Sequence, residues 1–298
     1  MFKIRSLAKG DFLYHDNKRV EYSASPNRSG GHANGQPSIL VMHYTAGSSA
    51  RSSANWFANP AAKASAHITI GRDGEVIQSV PFDQRAWHAG KSSWTTSDGV
   101  KLSGLNSHSI GIELANAGAC IATASGGWVN PLGVRVSSDD IVEARHKNGP
   151  VWFQSAGHVA EPGWEIYPAA QMRAAIDIAT ALVETYSLRE IVGHDDISPS
   201  RKNDPGPAFD MAGFRGVVFG RSEDQADLYR VRPGTPDGLA IRTEPTKFSA
   251  KVQDQNLVPG TVVEFNESDG NWWFVTVLDA NGNDQLDGWV YSKYLIEA

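Results

Sequence analysis

The 298-residue sequence lacks several features that define whole classes of protein. Its only cysteine is Cys120, which excludes an internal disulfide and a metal site built from several thiolates. No run of about 18 apolar residues occurs, so the sequence predicts no membrane insertion. The net charge of −6 gives no support for nucleic-acid binding. What is present is a composition, 41% hydrophobic and 20% charged, that is typical of a globular protein with a sizeable core.

The N-terminus also lacks the apolar segment and the small-residue cleavage site of a secretory signal. The sequence therefore predicts synthesis in the cytoplasm, followed by action there or by export along another route. A signal removed from the N-terminus is a third alternative.

Composition divides the chain near residue 222. Residues 223–298 hold 13 Asp and Glu against 6 Lys and Arg, and their short β-like pieces are separated by turns. This spacing predicts a small all-β barrel at the C-terminus. The predicted strands of the barrel are 239–242, 261–265, 272–278 and 288–291.

Two predicted strands of the first domain end next to a histidine. The apolar residues 38–42 lead into His43, and residues 190–192, followed by a glycine, lead into His194. A predicted loop after His194 ends in Asp204, which a Pro-Gly-Pro sequence follows. Two neutral imidazoles and a carboxylate are typical ligands of Zn²⁺, and three ligands leave one position open for chemistry.

A simpler interpretation competes with this one, because a lone histidine after a strand is more often a hydrogen-bonded structural residue. The joint occurrence of two such histidines, an aspartate in a proline-bounded loop and Lys202 two residues before it favours the metal site. His158 is the only rival ligand, and no histidine or carboxylate stands beside it at useful spacing.

Glu113 stands out in the predicted buried strand 109–114. A carboxylate inside the apolar run IGIEL is costly unless it is paired or faces a polar site. The sequence therefore marks Glu113 as a functional candidate on physical grounds alone. Two further elements form the scaffold, a hairpin around the turn 71–74 and an amphipathic helix at 168–186.

Four blocks in this order resemble the zinc-dependent N-acetylmuramoyl-L-alanine amidases, whose relatives include phage amidases and the peptidoglycan recognition proteins. The closest likeness is to the bacterial muropeptide-recycling branch. The blocks are VMHYTAG at 41–47, SAHITIGRDGEVIQSVPFDQRAWHAG at 65–90, NSHSIGIELAN at 106–116 and GHDDISPSRKNDPGPAFDMAGFR at 193–215.

This resemblance implies an α+β fold with a mixed central β-sheet flanked by helices. It implies that the zinc ligands are His43, His194 and Asp204, and that Glu113 and Lys202 are catalytic, the first moving protons and the second stabilising an oxyanion. It further implies substrate contacts at four residues: Trp87, His88, Ala89 and Asn116. Two alternatives stay open, a salt bridge of Lys202 to Asp195 or Asp196, and a buried structural role for Trp87.

The implied domain organisation is a zinc amidase domain at 1–222 and a bacterial Src-homology-3-like domain at 223–298. The first domain would carry a polar N-terminal segment, 1–37, on its surface and an insertion at 117–165. The second domain would bind the cell wall or serve as a structural module docked on the first.

The implied activity is hydrolysis of the amide bond between N-acetylmuramic acid and L-alanine in peptidoglycan or muropeptides, in cell-wall lysis of the endolysin kind. One alternative is cytoplasmic recycling of soluble anhydro-muropeptides. Others are a non-catalytic peptidoglycan-binding protein and a zinc peptidase that cuts within the stem peptide. The sequence gives no indication of the oligomeric state.

Overall fold

The computed structural model describes residues 1–47, 49–219, 228–235, 237–269, 271–279 and 283–297. The chain divides into two compact units, Met1–Gly220 and Arg221–Ala298. The predicted boundary between residues 222 and 223 lies outside the described residues. Among the helices of the described ranges, none is long and apolar enough to cross a membrane.

A six-stranded mixed sheet forms the centre of the first unit. All neighbouring strands run parallel except one pair, the predicted hairpin, which is antiparallel. The structure therefore confirms both the predicted mixed sheet and the predicted α+β fold. In spatial order the strands are Glu190–Gly193, Ile39–Tyr44, Ser109–Leu114, Ile68–Ile70, Val76–Gln78 and Glu21–Tyr22.

The three strands that carry predicted site residues are adjacent and parallel. Glu113 pairs with His43 across one strand boundary, and Gly193 pairs with Met42 across the other, so His194 follows at the same level. The carboxyl ends of parallel strands share one edge of a sheet, where α/β folds commonly place their ligands. The register alone thus places His43, Glu113 and His194 at one edge.

Within the described residues of the first unit, four α-helices accompany the sheet. The predicted helix 168–186 is confirmed as Ala169–Tyr186, and its apolar face packs Ala175, Ile178 and Leu182 into the main core. The predicted loop after His194 is corrected, because its first residues form a four-residue helix, His194–Ile197. The remaining helices are Ala50–Ala58 and Met211–Val218, with 3₁₀ turns at Pro60–Ala62, Leu105–Ser107 and Ser138–Asp140.

The first half of the predicted surface segment 1–37 is more ordered than its polar sequence predicts, although most of its residues are exposed. Phe2–Leu7, Gly10–His15 and Lys18–Arg19 form an antiparallel sheet. Leu13 is fully buried in the main core, and its N–H donates to Gln78 Oε1 at 2.9 Å. The sheet has few apolar residues, but they pack against the helix Ala169–Tyr186. The local sequence pattern does not predict this long-range contact.

The predicted insertion 117–165 is well structured rather than a long loop. Trp164 is buried at the centre of its own small apolar cluster, whereas His158, the rival ligand, lies exposed in a hairpin. Five strands make one sheet, in the order Arg135–Val136, Trp128–Val129, Ala119–Ala122, Gly163–Glu165 and Ile141–Glu143. Two-stranded pairs are Val151–Phe153 with Gly157–Val159, Ser93–Thr95 with Lys101–Ser103, and Arg28–Ser29 with Arg85–Ala86.

The same insertion contacts the segment between His194 and Asp204. His146 Nε2–H donates to Asp195 Oδ2 at 3.1 Å, while its Nδ1 accepts the N–H of Asn148 at 3.1 Å. Lys147 Nζ lies 3.0 Å from Asp195 Oδ1 and 2.5 Å from Asp196 Oδ1. These contacts balance two carboxylates that directly follow a predicted metal ligand.

The second unit is built of β-strands in its described residues, with a 3₁₀ turn at Ser292–Tyr294. Its five strands are antiparallel neighbours around a separate core that contains Val263, Val275 and Val290. Closure into a barrel, and the likeness to a Src-homology-3 domain, stay predictions. The spatial order is Asp284–Tyr291, Trp272–Leu278, Val262–Asp269, Leu228–Val231 and Leu295–Glu297.

The burial of Leu13 makes the N-terminal sheet part of the first unit's core. We expect Leu13→Ala to lower the free energy of unfolding of this unit by about 2–5 kcal/mol, because it leaves a cavity. Leu7, which is 49% exposed in the same sheet, provides the control: Leu7→Ala should change it by less than about 0.5 kcal/mol. Chemical denaturation measures both. Equal effects would contradict the fold.

His146 should stabilise the segment that carries Asp195. In His146→Ala the buried Asp195 carboxylate loses a hydrogen-bond donor, so the free energy of unfolding should fall by about 1–3 kcal/mol. His158→Ala, at an exposed position of the same insertion, should change it by less than about 0.5 kcal/mol. Urea titrations of both variants test this, and a His146→Ala variant as stable as the native chain would refute it.

Candidate active site

Three donor atoms converge at the edge of the central sheet. His43 Nδ1 lies 2.9 Å from His194 Nδ1 and 3.0 Å from Asp204 Oδ2, and His194 Nδ1 lies 2.9 Å from the same oxygen. All three residues are buried, with exposed fractions of 1%, 2% and 6%. The structure therefore brings together the three residues that the sequence predicts as ligands, and the group could hold a metal ion.

The charge states of these residues match a divalent cation. Burial lowers the pKa of His43 to about 4, and the neighbouring His194 adds to the effect, so the imidazole is neutral at neutral pH. Burial alone would raise the pKa of Asp204, but its contacts with His194 and His43 outweigh it and lower that pKa. Two imidazole nitrogens and an anionic oxygen within 3.0 Å of one another are the borderline donor set that Zn²⁺ prefers.

The second ring nitrogen of His194 defines which nitrogen faces the cluster. Its Nε2 lies 3.1 Å from the carbonyl oxygen of Ala89, an atom that can only accept. Nε2 therefore carries a proton, and Nδ1 is the nitrogen that faces the donor cluster. Donation of the outer nitrogen to a carbonyl is a usual support for a histidine ligand.

The backbone holds Asp204 next to His194 although ten residues separate them. Asp195 N–H donates to the Asp204 carbonyl at 2.8 Å, which closes the loop at its base. Gly193 is needed at this point, because a Cβ there would lie 2.2 Å from Asp195 Oδ1 and 2.8 Å from Pro205 Cδ. A larger residue would push apart the two sides of the loop that carry the ligands.

A cleft of about 590 Å³ is lined by two of the three donor residues, His194 and Asp204, and by both predicted catalytic residues. Glu113 Oε2 is buried and has no hydrogen-bond partner among the described residues. Burial raises the pKa of the Glu113 carboxyl well above its usual range, the Asp204 charge adds to this, and Lys202 opposes it. Glu113 is thus a carboxyl that holds a proton readily beside the donor cluster.

The alternative partners of Lys202 are engaged elsewhere. Asp195 and Asp196 pair with Lys147 of the insertion, and within the described part of the chain Lys202 makes no ion pair. The alternative of a Lys202 salt bridge to either carboxylate is therefore wrong. The cationic head of Lys202 remains available to the cleft that it lines.

The predicted substrate contacts divide into two groups. Trp87 lines the cleft and is 36% exposed, with its Nε1–H donating to Ser29 Oγ at 2.7 Å, which corrects the alternative of a buried structural tryptophan. His88 also borders the cleft, but it is only 8% exposed and its ring contacts His43.

Ala89 and Asn116 are not at the cleft surface. Ala89 is fully buried, and its carbonyl accepts from Arg201 Nη2 at 3.0 Å. Asn116 is buried, its Nδ2 donates to the Glu165 carbonyl at 2.9 Å and its Oδ1 accepts from Gly118 N–H at 2.7 Å. The prediction of Asn116 as a substrate contact is corrected, because its amide supports the turn into the insertion.

Sequence reasoning missed Trp56 as a cleft residue. It lies in the helix Ala50–Ala58, is 55% exposed and lines the same cleft as Trp87. The signal that could have found it is the helix pattern: Ala50, Ala54 and Phe57 share the buried face, which leaves Trp56 outside it.

Comparisons with known proteins give the family. The sequence model of the N-acetylmuramoyl-L-alanine amidase family matches residues 33–207, more than half of the chain. The chain is 33% identical over 158 residues to the 1,6-anhydro-N-acetylmuramyl-L-alanine amidase AmpD of Escherichia coli, covering 52% of this chain and 59% of that protein. It is 28% identical over 180 residues to the N-acetylmuramoyl-L-alanine amidase AmiD of the same organism, covering 57% and 49%.

Among solved structures, a selenomethionine derivative of AmpD aligns with a TM-score of 0.45 at 27% identity, over 71% of this chain and 96% of that chain. The match to AmpD of Escherichia coli spans 59% of that relative's length. The match at residues 33–207 includes His43, His194 and Asp204, together with Glu113 and Lys202. The chain belongs to the N-acetylmuramoyl-L-alanine amidase family.

Proposed function

We propose that this chain is a zinc enzyme that hydrolyses the amide bond between the lactyl group of N-acetylmuramic acid and L-alanine. One observation carries the proposal: donor atoms of His43, His194 and Asp204 converge within 3.0 Å of one another. The cleft that His194 and Asp204 line is also lined by Glu113 and Lys202. Family membership supports the choice of amide bond. A binding protein without catalysis would have no need of this complete set.

Amide hydrolysis needs an activated water, a stabilised oxyanion and a proton for the leaving nitrogen, because the carbonyl is a poor electrophile and the amine a poor leaving group. Zn²⁺, when bound by the three ligands, polarises a carbonyl and makes water a better nucleophile at neutral pH. The remaining requirements fall on side chains of the cleft.

Glu113 suits the transfer of protons. Its carboxyl lines the cleft, lacks a hydrogen-bond partner among the described residues at Oε2, and has a raised pKa because of burial. It accepts a proton from the attacking water and passes it to the amide nitrogen as the carbon–nitrogen bond breaks. Lys202 lines the same cleft and balances the charge that develops on the carbonyl oxygen.

The walls of the cleft suit a substrate with a sugar and a short peptide. Trp56 and Trp87 line the cleft and keep 55% and 36% of their surface exposed. Large exposed aromatic faces are costly in water and favour contact with the apolar face of a ligand. We assign these two rings to substrate contact and retain Trp87 from the sequence prediction.

The form of the substrate has two candidates. We propose polymeric peptidoglycan, cut in the manner of an endolysin, because the chain carries a second, all-β unit that we assign to a Src-homology-3-like wall-binding module. Soluble anhydro-muropeptides are the second candidate, favoured by the printed name of the relative AmpD, a 1,6-anhydro-N-acetylmuramyl-L-alanine amidase.

Product analysis tests the proposal and separates the two candidates. Intact sacculi and soluble anhydro-muropeptides are digested separately with the zinc-loaded chain, and the products are identified by mass spectrometry. Stem peptides beginning with L-alanine, released from sacculi, are expected. Cleavage of the soluble fragments alone would establish the recycling alternative. Peptides cut internally would indicate a peptidase, and no cleavage of either substrate would refute the enzyme.

Glu113 offers a direct test of the proposed chemistry. We expect Glu113→Gln to lower kcat by about 10²-fold or more, because the amide cannot move the proton, while the bound zinc content stays unchanged. Glu143→Gln, at an exposed carboxylate of the insertion, should retain native kcat. Rates of peptide release and atomic absorption of zinc provide the measurements. Full activity of Glu113→Gln would remove Glu113 from the mechanism.

A further inference from the structure

We propose that His88 is a positioning residue of the metal site, whose Nδ1 accepts the Nε2–H of His43 and thereby keeps the Nδ1 lone pair of His43 directed at the metal. This inference rests on the zinc site of the proposed function. It replaces the predicted role of His88 as a substrate contact, since both of its ring nitrogens are engaged inside the protein.

The argument begins at a backbone carbonyl. Ser109 Oγ lies 2.6 Å from the carbonyl oxygen of Leu105, which can only accept, so the single hydroxyl proton of Ser109 belongs to this bond. Ser109 Oγ also lies 3.3 Å from His88 Nε2. Because the hydroxyl proton is committed, His88 Nε2 must be the donor in this second contact.

The position of the proton on His88 in turn determines the position of the proton on His43. The His88 ring is buried, and its nitrogens contact Ser109 and His43 rather than a carboxylate. A cationic ring without an anionic partner is costly to bury, so the ring carries one proton, and that proton stands on Nε2. His88 Nδ1 is therefore an acceptor, and it lies 2.9 Å from His43 Nε2. His43 then donates from Nε2, and its Nδ1 faces His194 and Asp204 with a lone pair.

The opposite tautomer of His88 would prevent His43 from binding a metal ion. A proton on His88 Nδ1 would make His43 Nε2 the acceptor and put the His43 proton on Nδ1, the atom that faces the other two ligands. A protonated nitrogen cannot bind a metal ion. Four groups in series, from the Leu105 carbonyl through Ser109 and His88 to His43, therefore define one ligand atom.

The two histidine ligands differ in how their outer nitrogen is supported. His194 Nε2 uses the carbonyl of Ala89, a backbone acceptor that no substitution removes. His43 Nε2 has only the side chain of His88 among the described residues. The orientation of His43 thus depends on a side chain, so substitutions of His88 can test the proposal.

The fold also reserves space for the His88 ring. Gly111 lies in the strand Ser109–Leu114, and a Cβ on it would stand 2.5 Å from His88 Cγ and 2.6 Å from His88 Nδ1. The backbone N–H groups of His88 and Ala89 both donate to Asn106 Oδ1, at 3.1 and 2.7 Å. The ring is held between the strand that carries Glu113 and the ligand His43.

Zinc affinity of the full chain, measured by competition with a chromophoric chelator, is the first test. His88→Phe keeps a ring but loses the acceptor, and we expect zinc binding to weaken by about 10- to 100-fold. His88→Asn places an amide oxygen close to the position of Nδ1 and should recover affinity to within a few-fold of native.

Two further variants separate this role from general destabilisation. Gly111→Ala should weaken zinc binding as His88→Phe does, because it displaces the ring. His67→Phe removes a buried histidine whose ring lies 5.8 Å from that of His88, but whose nitrogens contact Gly111 N–H and the Gln84 carbonyl. It should keep native zinc affinity. Equal losses in His67→Phe and His88→Phe, or native affinity in both, would overturn the proposal.

Nuclear magnetic resonance of the zinc-loaded native chain with ¹⁵N-labelled histidine tests the hydrogen bond itself. We expect a proton on His43 Nε2, none on His88 Nδ1, and a coupling between these two nitrogens across the bond. A proton on His88 Nδ1 in the zinc-loaded chain would overturn the inference, because zinc would then be bound although His88 does not accept from His43. Failure of the native chain to bind zinc would instead refute the proposed function.

Discussion

The parallel pairing of three strands is the constraint on which the rest of the site depends. Ile39–Tyr44 lies between Ser109–Leu114 and Glu190–Gly193, and their register brings the last residues of all three to one edge of the sheet. Residues that are 70 and more positions apart in the chain thereby become neighbours without any specialised loop. A slip of one residue would turn each side chain to the opposite face, and the site would be lost.

Burial then determines the charge state of each group at this edge. It keeps His43 neutral and Glu113 protonated more readily than a carboxyl in water, whereas the histidine contacts hold Asp204 as an anion. The two carboxylates that follow His194 would compete for Lys202, but Lys147 of the insertion pairs with both of them and His146 donates a hydrogen bond to Asp195. The insertion therefore contributes to the site from outside the cleft.

A neutral histidine becomes a ligand only when its outer nitrogen has a partner that accepts. In this protein one partner is a backbone carbonyl and the other is a further histidine, which a glycine in the neighbouring strand accommodates. The apolar strand IGIEL thus serves three purposes at once, since it pairs in the sheet, carries Glu113 and leaves room for His88. Because one strand has all three functions, few residues are needed to form this edge of the sheet.

The sequence by itself determined the features that have a local pattern. Apolar runs ending in His43 and His194, a carboxylate in the run 109–114, and helical periodicity at 168–186 reflect how short segments bury one face. These signals predicted the strand ends, the long helix and the candidate ligands, because strand ends and helix faces depend on neighbouring residues alone. The family resemblance added the mixed sheet and the roles.

Only the tertiary structure decided the features that depend on distant partners. Leu13 shares the main core with a helix more than 150 residues away in the chain. Asn116 donates to a carbonyl of the insertion, and Lys147 pairs with the two carboxylates that were alternative partners of Lys202. Three-dimensional packing determines the hydrogen-bond partner of a buried polar group. A polar group without a partner is unfavourable in free energy only in the folded protein, where burial removes it from water. The local sequence pattern therefore does not predict this partner.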